Sequence, residues 1–224
     1  MLTRRISLSM PLVALLPAGA RADAASTVLA GAERLLLRFR DGAEWAIVWR
    51  QLGNAAGVLI APRITAEGLL VVEESGAGIV LARHGRAWSD PIGVRVGETS
   101  VGLQGGIQEF GLVLAILTSA ALDRLIAGGT TYGGSGGFSL GDLGIGSQAS
   151  VGAAGVETMA VTVSESGVFA GSGVAQMTLT PAPAMNPVLN GAAAPAEVLR
   201  REGRHAASRR VRAILAEATR AAGN

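Results

Sequence analysis

The order of apolar and polar positions divides the chain into a helical, a strand-like and a second helical region. Within residues 27–39, apolar side chains recur every three or four positions, which predicts an amphipathic helix. Residues 44–52 predict a second, shorter helix that carries Trp45 and Trp49 on adjacent turns. The strand-like region begins at about residue 57 and the final helical region follows a segment rich in proline and alanine.

The strand-like region consists of short apolar runs separated by glycine and polar residues, a pattern typical of strands. Residues 110–117 are apolar throughout, as expected of a strand that is buried on both faces. Residues 119–126 predict a short helix capped by Ser119. The other predicted strands are 58–60, 69–72, 78–82, 92–96, 101–107, 159–163 and 168–179.

The order of these elements predicts the fold class and the domain organisation. Two N-terminal helices, a largely antiparallel β-sheet core and a C-terminal helix indicate an α+β fold. We expect a single domain over residues 23–180, a Pro/Ala linker at 181–195 and a basic C-terminal helix at 196–224.

The first 22 residues have the three parts of a removable secretion signal. A short cationic start precedes an uncharged stretch at residues 6–20, and an A-x-A cleavage site ends at Ala22. The pair Arg4-Arg5 is similar to a twin-arginine signal, although an ordinary cationic start has the same pattern. We expect a periplasmic protein from which the signal peptide is cleaved near Ala22.

The composition excludes several kinds of chemistry. The chain has no cysteine, and its 19 basic residues are all arginine, so disulfides, cysteine metal ligands, Schiff bases and a P-loop lysine are excluded. His84 and His205 are the only histidines and have no metal-ligand spacing, and Ser139-x-x-Asp142 is a turn or cap pattern. The glycine-rich stretch 128–146 lacks a nucleotide-binding spacing and predicts a mobile loop. We therefore expect no enzyme activity, cofactor, metal or nucleotide.

Charge is unevenly distributed along the chain. Residues 23–195 contain 9 arginines and 14 acidic residues, a net charge of −5, whereas residues 196–224 contain 7 arginines and 3 acidic residues, a net charge of +4. Nucleic acid is not an expected partner because the folded part lacks a basic excess. The basic tail could still contact an acidic surface.

Four glycine-containing segments follow one another along the chain: 54–62 (A-x-G-V-x-x-x-P), 76–91 (a glycine-bracketed strand followed by W-S-x-P), 101–106 (G-x-Q-x-G) and 167–171 (G-x-F-x-G). In order and spacing they resemble the SYLF domain family, a family of lipid-binding modules. The similarity extends over about residues 44–180. The family usually ends with an asparagine followed by Tyr-Gly, whereas this chain has Asn186 and Asn190-Gly191 without a tyrosine.

The resemblance implies a non-catalytic module that associates peripherally with phospholipid membrane surfaces. Eukaryotic relatives are associated with phosphoinositides and in some cases actin, but a periplasmic location leaves only the general lipid association. The alternative is an envelope module that binds another protein and has no lipid ligand. Neither reading identifies the partner.

The candidate lipid-binding residues are arginines that attract anionic head groups and tryptophans that suit a membrane interface. Core packing is the alternative role for the tryptophans, and a solvated helix face is the alternative for the arginines. A second basic group in the tail competes with them: Arg200, Arg201, Arg204, Arg209, Arg210 and Arg212. The candidates that we favour are Arg34, Arg38, Trp45, Trp49, Arg50, Arg83, Arg86 and Trp88.

Overall fold

A computed structural model provides the three-dimensional structure. It describes residues 18–68, 71–101, 106–126, 131–134, 137–140, 145–152, 155–164 and 174–223. Three sequence features lie outside these residues: positions 1–17 of the predicted signal, positions 102–105 of the G-x-Q-x-G segment and the G-x-F-x-G segment.

Helices flank the strand region on both sides in the chain. The helix predicted at 27–39 is longer, because it begins at Ala18, and it ends at Asp41. The described helices are α1 (Ala18–Asp41), α2 (Ala46–Asn54), α3 (Ser119–Ile126), α4 (Asn186–Asn190), α5 (Pro195–Val198) and α6 (Arg209–Ala222), with 3₁₀ turns at Ala43–Trp45 and Pro183–Met185.

The strands form one antiparallel sheet, which confirms the α+β prediction. Within the described residues the order is β6-β10-β4-β2-β1-β5-β9-β8-β7, and β3 pairs with the end of β2. The strands are β1 (Gly57–Gly68), β2 (Val71–His84), β3 (Ala87–Trp88), β4 (Ile92–Val101), β5 (Gly106–Ile116), β6 (Thr131–Gly134), β7 (Gly137–Leu140), β8 (Ile145–Gly152), β9 (Gly155–Ser164) and β10 (Val174–Pro181).

The sheet buries apolar side chains on both faces, because successive residues of a strand point to opposite sides. On one face, side chains such as Val58 and Leu81 pack in one cluster with Leu36 of α1 and Leu215 of α6. On the other face, a second cluster includes Leu114 together with residues of α3 and α5. The helices α1, α2 and α6 therefore form an outer layer on the first face, and their exposed sides point away from the sheet.

Two strands are longer than the sequence predicts. Pro62 does not end β1, because the pairing with both neighbouring strands shifts register around it, and a bulge accommodates proline in a strand. The predicted break at residues 73–76 is part of β2. A side chain at Gly76 would lie 2.5 Å from the carbonyl oxygen of Arg63, so glycine serves close strand approach there rather than a turn.

The helix α3 has the predicted bounds but a different cap. The hydroxyl of Thr118 accepts a hydrogen bond from the backbone N–H of Ala121 at 3.1 Å, so Thr118 rather than Ser119 is the N-terminal cap. The glycine-rich stretch 128–146 also differs from the mobile loop that was expected, because its described parts form β6, β7 and the start of β8.

The C-terminal region is packed against the rest of the fold. The predicted linker at 181–195 contains a 3₁₀ turn and α4, and Met185 and Leu189 are buried there. The predicted helix at 196–224 is divided, because non-helical backbone follows α5 until α6 begins at Arg209. The chain therefore remains in contact with the sheet until its last helix.

Candidate functional site

Two of the three tryptophans proposed as lipid contacts are core residues. Trp45 is 2% exposed and packs against Phe39 with ring centroids 4.7 Å apart. Trp88 is also 2% exposed, and its indole N–H donates to the hydroxyl of Thr219 in α6 at 3.0 Å. Neither ring is available to a lipid surface in this fold, so the alternative role of core packing applies to both. Trp49 is half-buried.

Arg83 forms hydrogen bonds with the backbone around it. Its guanidinium donates to the carbonyl oxygens of Ala55 at 2.6 Å, Asn54 at 3.1 Å and Gly85 at 3.2 Å. Two of these carbonyls lie at the C-terminal end of α2, where the backbone acceptors of a helix lack partners within the helix. Arg83 thus caps the C-terminal end of α2, a structural role that the sequence did not predict.

The four other candidate arginines are exposed. Arg34 and Arg38 lie one turn apart on α1, Arg50 lies on α2, and Arg86 lies in the turn between β2 and β3. None of them forms an ion pair with a carboxylate in the part of the chain that the structure describes. They are consequently able to approach an external anion.

Other arginines in the same layer are paired. Arg40 contacts Asp41 at 2.7 Å and Glu217 of α6 at 3.4 Å, and Arg210 contacts Glu33 at 2.8 Å. The hydrogen bond from Arg40 lowers the pKa of Asp41 below its usual value and raises the pKa of Arg40 itself. The pairs Arg40–Glu217 and Arg210–Glu33 connect α1 with α6.

Ile47 is a surface residue that the sequence analysis missed. It is 76% exposed, and it is the one large apolar side chain that is strongly exposed within the described ranges. It precedes Arg50 by three positions, so both side chains lie on one side of α2. The sequence pattern could have revealed it, because Ile47 lies on the side of the helix opposite the buried residues Trp45 and Leu52.

Asp90 of the W-S-D-P segment connects the turn after β3 with the C-terminal region. Its carboxylate accepts hydrogen bonds from the backbone N–H groups of Arg204 at 2.8 Å and His205 at 3.1 Å, and from the hydroxyl of Ser208 at 2.8 Å. The guanidinium of Arg212 lies 3.2 Å from the same carboxylate. We call the contacts of residues 84–90 with residues 199–212 the C-terminal clasp.

Neighbouring residues complete the clasp. The hydroxyl of Ser89 accepts from the N–H of Ala82 at 2.9 Å and donates to the carbonyl of Asp90 at 2.8 Å. The N–H of Gly203 donates to the carbonyl of Trp88 at 2.9 Å. A side chain at Gly203 would lie 2.4 Å from the backbone nitrogen of Asp90, so the approach requires glycine. The segment that resembles W-S-x-P is therefore a structural junction.

Two asparagines in the predicted linker also form hydrogen bonds with backbone groups. The side-chain oxygen of Asn186 accepts from the N–H of Gly93 at 2.9 Å. The amide of Asn190 donates to the carbonyl of Pro91 at 2.7 Å. Both asparagines fix the start of β4 without the tyrosine that the family usually has.

The two histidines lie in the clasp. The ring Nε2 of His84 lies 3.0 Å from the carbonyl oxygen of Leu199, the position of a donor. The ring Nδ1 of His205 is buried and has no hydrogen-bond partner in the structure. Among the described residues, no three histidine, aspartate or glutamate side chains are grouped so that they could hold a metal ion.

A family model described as "Ysc84: Las17-binding protein actin regulator" matches residues 97–221. The chain belongs to this family, the SYLF domain family. The match begins in β4 and extends through most of α6, so the C-terminal region is part of the family domain. It starts after the segments 54–62 and 76–91, which the sequence analysis had assigned to the resemblance. No curated protein and no solved structure matches the chain.

Membership indicates a binding module of the SYLF class. The family's description gives binding to Las17 and regulation of actin as properties of the protein after which the family is named. Within the described residues, no helix combines the length and the apolar character that crossing a bilayer requires.

Proposed function

We propose that this SYLF protein is exported to the periplasm and acts there as a non-catalytic module that binds phospholipid membrane surfaces. The observation that carries the proposal is the exposed side of α1 and α2. Arg34, Arg38 and Arg50 form no ion pair there with a carboxylate of the described residues, and Ile47 is exposed beside Arg50. An anionic bilayer supplies both a partner for the charges and an apolar boundary for the isoleucine.

The expected affinity is low. Each arginine near an anionic membrane surface contributes about 1 kcal/mol, so the three arginines together contribute about 3 kcal/mol. Partial burial of Ile47 adds a smaller apolar contribution. Binding of this strength is reversible and decreases with salt, because exposed charges are screened over roughly 8–10 Å at physiological ionic strength.

Vesicle sedimentation tests the proposal. Wild-type protein is expected to sediment with vesicles of phosphatidylglycerol and phosphatidylcholine, and much less with phosphatidylcholine alone. The variant Arg34→Ala/Arg38→Ala/Arg50→Ala and the variant Ile47→Ser should each weaken the sedimentation. A matched control, Arg63→Ala/Arg95→Ala/Arg220→Ala, removes the same charge from exposed positions elsewhere. Equal binding by the two triple variants would contradict the assignment to α1 and α2.

Export has a separate test. Among the described residues the first buried core side chain is Ala25, so cleavage after Ala22 removes none of the described apolar core. Mass spectrometry of protein from the cell envelope should find Asp23 at the N-terminus. A full-length chain recovered from the cytoplasm would overturn the periplasmic assignment.

The non-catalytic character rests on the roles of the residues that could do chemistry. His84 and Asp90 contact groups of the C-terminal clasp. A broad hydrolase screen is expected to find no activity. Activity that disappeared in the variant His84→Ala would contradict this part of the proposal.

A protein partner in the envelope is the second candidate function. The family description, which names a protein as the binding partner of a relative, favours it. If folded wild-type protein sediments with neither kind of vesicle, the lipid proposal is wrong and a protein partner becomes the favoured function.

A further inference from the structure

Two basic segments that are more than a hundred residues apart in the sequence lie together in the fold. The clasp places the turn between β2 and β3 beside the chain between α5 and α6. His84 lies 3.0 Å from the carbonyl of Leu199, and Gly203 donates to the carbonyl of Trp88 at 2.9 Å. The loop and tail that compete as candidate lipid contacts in the sequence are thus parts of one surface.

The arginines of this region divide into an inner and an outer set. Arg212 is partly buried and is held by Asp90, and Arg201 pairs with Glu197 at 2.9 Å. Arg86 is exposed in the turn, directly after Gly85. Glycine allows the φ of +59° that the backbone adopts at this position. The outer set, which we call the basic end, consists of Arg86, Arg200, Arg204 and Arg209.

The basic end keeps its positive charge. Its four side chains are exposed, and none forms an ion pair with a carboxylate of the described residues. Glu202 is the exposed acidic residue between them in the chain, and Glu197 is paired with Arg201. The clasp is therefore neutralised internally while its outer surface retains a positive excess.

We propose that the basic end is a docking surface for the phosphate groups of anionic phospholipids. The inference rests on the proposed membrane function and adds a second contact to the one at α1 and α2. Arginine suits this ligand because its planar guanidinium can form paired hydrogen bonds with phosphate oxygens. Since residues 23–195 carry a net charge of −5, an anionic membrane repels most of the fold and attracts this end.

A membrane is favoured over an acidic protein because the charges come from two separate segments and no large apolar side chain is exposed beside them among the described residues. A specific protein interface normally has such an apolar anchor at its centre. Contact at the basic end is therefore chiefly electrostatic, in contrast to the surface around Ile47.

Vesicle titration of two matched variants tests the inference. Arg200→Ala/Arg204→Ala removes two charges from the basic end, and Arg95→Ala/Arg220→Ala removes two exposed charges elsewhere. On phosphatidylglycerol vesicles at low salt, we expect the first variant to bind roughly 30-fold more weakly than wild type, at about fivefold per arginine. We expect the control to bind nearly as wild type. The difference should disappear at about 0.5 M salt, where screening shortens to a few ångströms. A thermal unfolding measurement on each variant serves as the control for folding.

The outcomes separate this inference from the proposed function. Equal binding by both double variants, with loss of binding in Arg34→Ala/Arg38→Ala/Arg50→Ala, would overturn the basic end and leave the membrane function in place. If wild-type protein does not bind anionic vesicles, both the assignment of the basic end and the proposed membrane function are wrong. Stronger binding of wild-type protein to an acidic protein-coated surface than to anionic vesicles, lost in the variant Arg200→Ala/Arg204→Ala, would also contradict the lipid assignment.

Discussion

At the scale of single residues, Asp90 is the side chain on which the most contacts of the C-terminal clasp converge. Its carboxylate is 12% exposed and accepts from Arg204, His205 and Ser208 while it pairs with Arg212. Asp90→Ala would leave these donors and a mostly buried guanidinium without their acceptor. Because such a loss typically costs 3–5 kcal/mol, we expect the free energy of unfolding to fall by about 3 kcal/mol, measured by urea titration.

The control for Asp90 is another aspartate that pairs with an arginine. Asp41 is 63% exposed, and exposed pairs contribute little, so Asp41→Ala should change the stability by less than about 0.5 kcal/mol. Asp90→Asn should have an intermediate effect, because the amide oxygen still accepts but the charge is lost. Equal unfolding midpoints for Asp90→Ala and Asp41→Ala would contradict the role assigned to Asp90.

At the scale of secondary-structure elements, the contact between α2 and α6 depends on Gly53. A side chain at Gly53 would lie 2.1 Å from the carbonyl oxygen of Ala218 and 2.8 Å from the Cβ of Ala222. Alanine at an ordinary helix position gains up to about 1 kcal/mol over glycine. Here overlap with backbone outweighs that gain, so Gly53→Ala should destabilise the protein by about 1–3 kcal/mol in a thermal or urea unfolding experiment.

Gly223 provides the matched control for this substitution. It follows α6 with a negative φ, and the nearest atom to an added side chain would lie 3.8 Å away, which is ordinary contact. Gly223→Ala should therefore leave the unfolding midpoint unchanged. If Gly53→Ala unfolded at the same midpoint as Gly223→Ala, the close packing of α2 on α6 would be wrong.

At the scale of the whole molecule, α6 is a component of the core rather than an appended tail. Its apolar side chains pack in the same cluster as α1, α2 and one face of the sheet. Each fully buried aliphatic side chain contributes about 1.5–3 kcal/mol, and a typical domain is stable by only 5–15 kcal/mol. A chain truncated after Pro195 should therefore lose its cooperative thermal transition, measured by circular dichroism. The buried residues of α6 are Val211, Ile214, Leu215 and Ala218.

The opposite truncation is the control at this scale. A chain that begins at Asp23 lacks no side chain of the described core, so its transition should remain cooperative and its midpoint close to that of the full chain. If the chain truncated after Pro195 unfolded as cooperatively as the chain starting at Asp23, α6 would be an independent helix. Substitutions, rather than truncation, are accordingly the appropriate test of lipid binding by the C-terminal region.

The predictable parts of the fold are those that depend on local periodicity. The helix at 27–39, the doubly buried strand at 110–117 and the bounds of α3 follow from the spacing of apolar side chains. The continuation of β1 through Pro62 was not predictable, because the bulge depends on two neighbouring strands. The packing of 181–195 was missed for a similar reason, since proline and alanine occur in linkers and in close contacts alike.

The candidate site was predicted less completely than the fold. The exposure of Arg34, Arg38, Arg50 and Arg86 agrees with the sequence analysis, whereas Trp88 is buried. A tryptophan beside polar residues has the same local pattern whether it faces lipid or the core. The choice depends on Thr219 of α6, 131 residues away, whose hydroxyl accepts the hydrogen bond from the indole N–H of Trp88.

The sequence by itself determined the α+β class, the absence of cysteine and lysine chemistry, the split of charge and the membership of the SYLF family, because composition, periodicity and short motifs are local properties of a chain. Only the tertiary structure decided which arginines are available to a ligand. Arg83 and Arg212 are held by backbone carbonyls, whereas Arg86 and Arg204 direct their charge outward. That distinction follows from tertiary contacts, such as those of Arg83 with Ala55 and of Arg212 with Asp90, which give a side chain its partner or leave it to the solvent.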